Sequence, residues 1–315
     1  MLALQTGLRK AWILVWLRSL LAGVLVWAVL GLAACPGGSL AAKDVKRTPL
    51  VTIGWTAWAD AEAVSKISQT ILERELGVAV KLVMADIEIQ YPALAFGDID
   101  VMLMAWLPKL QADFLRQYRN QIINLGPIYT RAGYGWAVPD YVPQDKLGSL
   151  EDLQQPGVAD AVGRVVVGID PSAGLMRSSR RALQAYGLAD MGYELLENSE
   201  RAMTMSLARA IQNRQWIVVT AWNPHWKWAQ WDLRYLRDPK GIVSGQSRVH
   251  ALTRPRFDTT APKGVFGFFS RFFIPVDELQ TVLHQVKQTS YTEAVESYIQ
   301  THPKRVHYWL TGEID

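Results

Sequence analysis

Residues 50–84 read LVTIGWTAWADAEAVSKISQTILERELGVAVKLVM. Leu50–Gly54 is a short apolar run, the pattern of a buried strand. Ala63, Val64, Ile67, Ile71, Leu72 and Leu76 then recur at helical spacing, and Gly77 supplies the stop. Val78–Met84 is a second apolar run. A strand, a helix and a strand in so short a stretch predict parallel pairing, because only a crossover helix brings the chain back to the same edge. The pattern continues outward. Val101–Ala105 reads as a third strand, between Gly97-Asp98 and Pro108. A second set begins near Tyr134. Arg164–Ile169 is its strand, and Leu175–Tyr186 is a helix ended by Gly187. Ser199 is placed to cap a helix through Ile211, with Met203, Leu207 and Ile211 on one face, and Trp216–Ala221 is a further strand. Val276–Gln288 and Tyr291–Gln300 are helical. The expectation is an α/β chain with largely parallel sheets in two lobes. Residues 50–130 begin lobe one, 131–225 form lobe two, and 226–315 supply a crossing segment and the rest of lobe one. Two such lobes leave a ligand cleft between them, at the strand ends.

The start of the chain reads differently. Arg9, Lys10 and Arg18 precede an apolar run from Ser19 to Ala34 that no charge interrupts. The run ends in Leu32-Ala33-Ala34-Cys35. A basic start, an apolar stretch and small residues at its end are the pattern of an export signal. The last four residues resemble a bacterial lipobox, which predicts a signal peptide over 1–34 and a lipid on Cys35. A plain signal anchor with an incidental Cys35 fits the same residues. Cys35 is the only cysteine, in keeping with an exported chain whose one thiol is capped. Residues 35–49, beginning Cys35-Pro36-Gly37-Gly38-Ser39, read as a flexible tether.

Half of the 315 residues are apolar and a fifth are charged, an ordinary globular balance. The formal charge of +4 arises mostly in the leader, which has three basic residues and no acid. The body is close to neutral, with no basic face for nucleic acid. The thirteen Trp need more explanation. Trp58, Trp106 and Trp222 each follow a predicted strand, where a cleft is expected. Any one of them taken alone fits core packing better. Together their faces would cage a methylated cation, which donates no ordinary hydrogen bond and is attracted by the ring quadrupole. Gly168-Ile169-Asp170-Pro171-Ser172-Ala173-Gly174-Leu175 runs from a strand through small residues into a helix. Open amides at such a start accept an anion, although an ordinary strand-to-helix turn has the same sequence. Cage and anion site together suit a zwitterion.

These stretches carry a family resemblance. Ile53-Gly54-Trp55-Thr56-Ala57-Trp58, Gly97-Asp98-Ile99-Asp100 leading to Ala105-Trp106-Leu107-Pro108, Gly168-Ile169-Asp170-Pro171 with Gly174, Val219-Thr220-Ala221-Trp222-Asn223-Pro224-His225-Trp226, and Tyr235-Leu236 with Asp238-Pro239-Lys240-Gly241 occur in this order. Over about residues 50–311 the chain resembles the substrate-binding proteins of glycine betaine and proline betaine ABC importers. The resemblance implies a two-lobed type II periplasmic-binding-protein fold in the unpermuted order, closing on its ligand. It also implies an ABC permease with its ATPase as partners, and no cofactor. Trp58, Trp106 and Trp222 match the ammonium cage, and Gly174 and Leu175 the amides that hold the carboxylate. The chain departs from the pattern at two places. Gln111 stands where some relatives carry a His that helps hold the carboxylate; Gln still donates but does not titrate. Trp55 stands where relatives often have Tyr. Trp226, Trp228 and Trp231 read as packing at the lobe crossing.

Two other functions fit less of the sequence. An enzyme would need more than His225 and Asp170 near the cleft, since no nucleophile or paired carboxylate accompanies them. His225, His250, His284, His302 and His307 show no metal-ligand spacing. A choline receptor would place an acid beside the cage. Ala57 and Ala59 flank Trp58, but Asp60 is within possible reach and leaves choline open.

Overall fold

The structure, a computed structural model, describes residues 48–314. The predicted signal peptide over 1–34, Cys35 and all but the last two residues of the tether lie outside the described residues.

Strand β1 (Leu50–Trp55), helix α1 (Ala59–Leu76) and strand β2 (Ala79–Met84) form the expected unit, with β1 and β2 parallel from Leu50↔Ala79 to Trp55↔Met84. Ala63, Val64, Ile67, Ile71 and Leu72 are buried on one face of α1. Gly77 ends it at φ 62°, its N–H donating to the Leu72 carbonyl, a left-handed turn that Gly makes without a Cβ clash. Then come α2 (Ile87–Phe96), β3 (Val101–Leu107) and α3 (Ala112–Tyr118). β3 lies parallel to β1 and is buried along its whole length.

The second set follows β4 (Ile123–Pro139). It comprises α4 (Pro156–Ala161), β5 (Val165–Val167), α5 (Gly174–Ala185), β6 (Glu194–Leu196), α6 (Glu200–Gln212) and β7 (Val218–Trp222). β5 is parallel to both β6 and β7. The chain continues through α7 (Lys227–Gln230), β8 (Leu233–Tyr235) and β9 (Gly245–Thr253). It closes with α8 (Phe257–Thr260), α9 (Val265–Arg271), α10 (Val276–Gln288), α11 (Tyr291–Thr301) and α12 (Pro303–Thr311). α10 and α11 pack on α1, so the end of the chain returns to the first set.

The sheet corrects one expectation. It is a single nine-stranded sheet in the order β2-β1-β3-β9-β4-β7-β5-β6, with β8 on β4. Only its wings are parallel. β9 runs antiparallel to β3 and β4, and β4 antiparallel to β7 and β8. β4 is not legible in the sequence because Gly126, Pro127, Gly133 and Gly135 break its alternation and its register against β9 shifts three times. Two of those glycines serve the seam: a Cβ on Gly133 would lie 2.5 Å from Asn223 Oδ1, and one on Gly135 2.6 Å from Ser244 Oγ. Pairing across the seam also lengthens two strands beyond their predicted ends. Trp106 lies inside β3, opposite Val249, and Trp222 is the last residue of β7, opposite Tyr134. Two α/β wings joined at an antiparallel centre make the two-lobed architecture. Among the described residues no helix is long and apolar enough to cross a membrane.

Candidate functional site

One pocket, with about 330 Å³ of empty space counting the solvent at its mouth, is lined by Trp58, Trp106, Trp222, Gly174, Leu175 and Gln111, with Leu110, Ile169 and Ala173. All six ligand-binding candidates of the sequence therefore meet in one place. Ile169 and Ala173 belong to the stretch that carries Gly174, and Leu110 precedes Gln111, so proximity in sequence is the signal that could have found them.

Each indole is held by a different device. Trp58 is the N-cap residue of α1, extended at φ −114° and ψ 139°, and its Nε1 donates to Asp170 Oδ2 at 2.9 Å. Trp106 meets Tyr129 edge to face, with centroids 6.4 Å apart and planes at 86°. Trp222 Nε1 donates to Asp60 Oδ1 at 2.9 Å, and its carbonyl accepts from Trp228 Nε1 at 2.7 Å. Tyr129 in turn donates to the other Asp60 oxygen at 2.6 Å. One carboxylate thus holds Trp222 directly and Trp106 through a tyrosine. The N–H groups of Trp58 and Trp222 are both satisfied by carboxylates, so ring surface is what these two indoles offer the pocket.

Asp60, which the sequence leaves open as an acid for choline, takes a place outside the pocket lining. It is wholly buried and does not line the pocket; its carboxylate sits behind the indoles, engaged by two donors. Burial pushes its pKa up to about 6, opposed by the hydrogen bonds from Tyr129 and Trp222. Nothing in the local sequence marks Tyr129 as its partner, since the two lie far apart in the chain.

The same lining includes the backbone of a helix start. Gly174 and Leu175 open α5, and the N-cap position is Ala173, which offers no side-chain acceptor. Amides in the first helical turn have no partner within the helix. Gly174 is required by a close approach: a Cβ there would stand 2.0 Å from the Leu110 carbonyl oxygen. Arg177 clamps the same carbonyl at 2.7 Å. Gln111 is buried, and its Oε1 accepts from the Tyr91 hydroxyl at 2.9 Å. That bond orients the side chain with its amide nitrogen as the remaining donor. The pocket therefore combines indole rings, which suit a cation, with an uncapped helix start and an amide, which suit an anion.

The candidate enzyme residues do other work. Asp170 accepts from Trp58 and from Ser172 Oγ at 3.1 Å, and burial raises its pKa. His225 is fully buried. Its Nδ1 accepts the Lys227 N–H at 3.0 Å, and its Nε2 lies 3.0 Å from Glu200 Oε1 without hydrogen-bond geometry. Burial holds its pKa well below the usual histidine range, so the ring is neutral. Trp226 packs on Trp231 at 5.6 Å and Trp228 on Tyr235 at 4.6 Å, the packing roles expected of them.

Residues 49–301 match the family described as the substrate binding domain of ABC-type glycine betaine transport system. The chain is 28% identical over 186 residues to the glycine betaine/carnitine transport binding protein GbuC of Listeria monocytogenes serotype 1/2a (strain 10403S). That alignment spans 59% of this chain and 58% of the relative's length. Among solved structures, it is similar to lactococcal OpuAC in its closed-liganded conformation complexed with glycine betaine: TM-score 0.76, 29% identity, 84% of this chain and all of that one. It is likewise similar to the glycine betaine, L-proline ABC transporter glycine/betaine/L-proline-binding protein (ProX) from Borrelia burgdorferi. There the TM-score is 0.76 and the identity 27%, over 83% of this chain and 96% of that one.

Proposed function

Because the chain belongs to the family of substrate-binding domains of ABC-type glycine betaine transport systems, we propose that it captures a small quaternary-ammonium zwitterion, glycine betaine first, for an ABC permease and its ATPase. That family is one of transport proteins rather than enzymes. The observation that carries the reading is the meeting of three indoles and an uncapped helix start in one small pocket. The trimethylammonium group lies among Trp58, Trp106 and Trp222, each ring contributing roughly 0.5–2 kcal/mol where water is excluded. The carboxylate meets the amides of Gly174 and Leu175 and the side chain of Gln111. These groups come from both sets of elements, so a ligand touching all of them favours the closed form through differential contact.

The lobes follow the proposed bounds, 50–130 with the C-terminal part and 131–225. The leader over 1–34 directs export and is cut before Cys35, which a lipid then holds at the outer face of the cell membrane or in the periplasm. Choline, the alternative ligand, lacks the carboxylate that the α5 amides suit. Asp60, the acid it would use, already accepts two hydrogen bonds behind the cage.

The test is a fluorescence and calorimetric titration of the leaderless protein with glycine betaine, proline betaine, carnitine and choline. Saturable betaine binding with weak choline binding is expected. Choline binding alone removes the anion half of the reading, and no binding by any of the four removes the reading itself.

A further inference from the structure

Behind the cage lies a layer of buried charge that the capture of a ligand does not by itself require. Lys227, at the start of α7, is wholly buried. Its Nζ stands 4.0 Å from the centroid of the Trp222 ring. Trp222 lines the pocket and Lys227 does not, so the ammonium occupies the side of the indole turned away from the ligand. Among the described residues its one hydrogen-bond acceptor is the Trp222 carbonyl, at the long distance of 3.5 Å.

We propose that Lys227 is a positioning and affinity-setting residue for the cage: its charge competes, across the Trp222 indole, with the cation bound in front. A ring offers negative potential on both faces. When an internal ammonium uses the rear face, the front face attracts a second cation less, and the two positive charges also repel through the ring. This inference rests on the reading of the pocket as a cation cage.

The groups around Lys227 make the competition depend on pH. Asp60 from α1 and Glu200 from α6 act on it electrostatically. His225, in the loop before α7, is neutral beside it. Tyr129 of β4 holds Asp60, and Tyr291 of α11, acted on by Glu62, Glu200 and Asp60, stays protonated through burial. Burial pulls Lys227 down to about 7 and pushes Glu200 up to about 7 and Asp60 to about 6. As pH rises through this range Lys227 loses positive charge while Asp60 and Glu200 gain negative charge. Every one of these changes favours a cation in the cage, so affinity rises with pH and binding expels protons. Gln111, at the carboxylate end, does not titrate and adds nothing of opposite sign.

The experiment is calorimetry of glycine betaine binding to the wild type and to Lys227→Met at pH 6 and pH 8, in two buffers of different ionisation heat. The wild type is expected to bind about fivefold or more tightly at pH 8 than at pH 6 and to release protons near pH 7. Lys227→Met should bind more tightly than the wild type at pH 6 and show a smaller pH dependence. A mere packing role would instead weaken binding equally at both pH values. Equal wild-type affinities without proton release overturn the proposal, and so does a variant that binds less tightly at pH 6 with its pH dependence intact. Where the variant fails to fold, the wild-type proton count alone decides. No saturable wild-type binding at either pH overturns the cage reading and this inference together.

Discussion

Helices α5 and α6 follow neighbouring strands of the same parallel wing, yet they begin in opposite ways. At α6 the Ser199 hydroxyl accepts from the Ala202 N–H at 3.1 Å, closing one of the open amides of the first turn. At α5 the corresponding position is Ala173, with no side-chain acceptor at all. A cap of the Ser199 kind is worth about 1 kcal/mol. Its omission at α5 makes sense where another acceptor completes the turn. The α6 start serves stability; the α5 start lines the pocket and, on the proposed reading, would have its open amides completed by the ligand's anionic end.

The comparison breaks most sharply at Gly174. Gly174→Ala places a Cβ against the Leu110 carbonyl, a backbone atom that Arg177 also holds, so the two sides cannot close as they do here. Betaine affinity is expected to fall by roughly a hundredfold, the scale of two to three kcal/mol of overpacking, as read by calorimetry. A gentler test gives α5 the cap that α6 has. Ala173→Ser should raise the melting temperature by about 2–4 °C. It should also weaken betaine binding by several-fold, because the new hydroxyl competes with the carboxylate. Choline binding should change less. A variant that gained stability with no loss of betaine affinity would separate the helix start from the anion. The smallest effect belongs to the other helix: Ser199→Ala should lower the melting temperature by a few degrees and leave affinity unchanged.

Much of this contrast is legible in the sequence. Ser199 reads as a cap and Gly174 as part of an open helix start because both sit where the residue pattern changes, and Gly77 stops α1 where the apolar pattern ends. The three pocket tryptophans are legible as strand-end residues, although two of them belong to the strands themselves. The seam of β4 and β9 is not legible. Its pairing partners are more than a hundred residues apart along its whole length, and its glycines answer to side chains of distant segments. Asp60 shows the same limit. Its place near Trp58 in the sequence leaves a ligand contact open, but the packing of Tyr129 and Trp222 turns its carboxylate into their hydrogen-bond acceptor.

Sequence alone determined the α/β alternation, the stop of α1 at Gly77, the cap of α6 at Ser199, and the six residues that meet in the pocket, because periodicity, caps and turns are local properties of the chain and the family motifs are written in it. Tertiary structure decided that the wings share one sheet, that Asp60 lies behind the rings rather than before them, and that Lys227 is buried against Trp222. The reason is physical: a side chain's own neighbours in sequence set its dihedrals, whereas its dielectric surroundings and its partners are set by whichever distant segments pack around it.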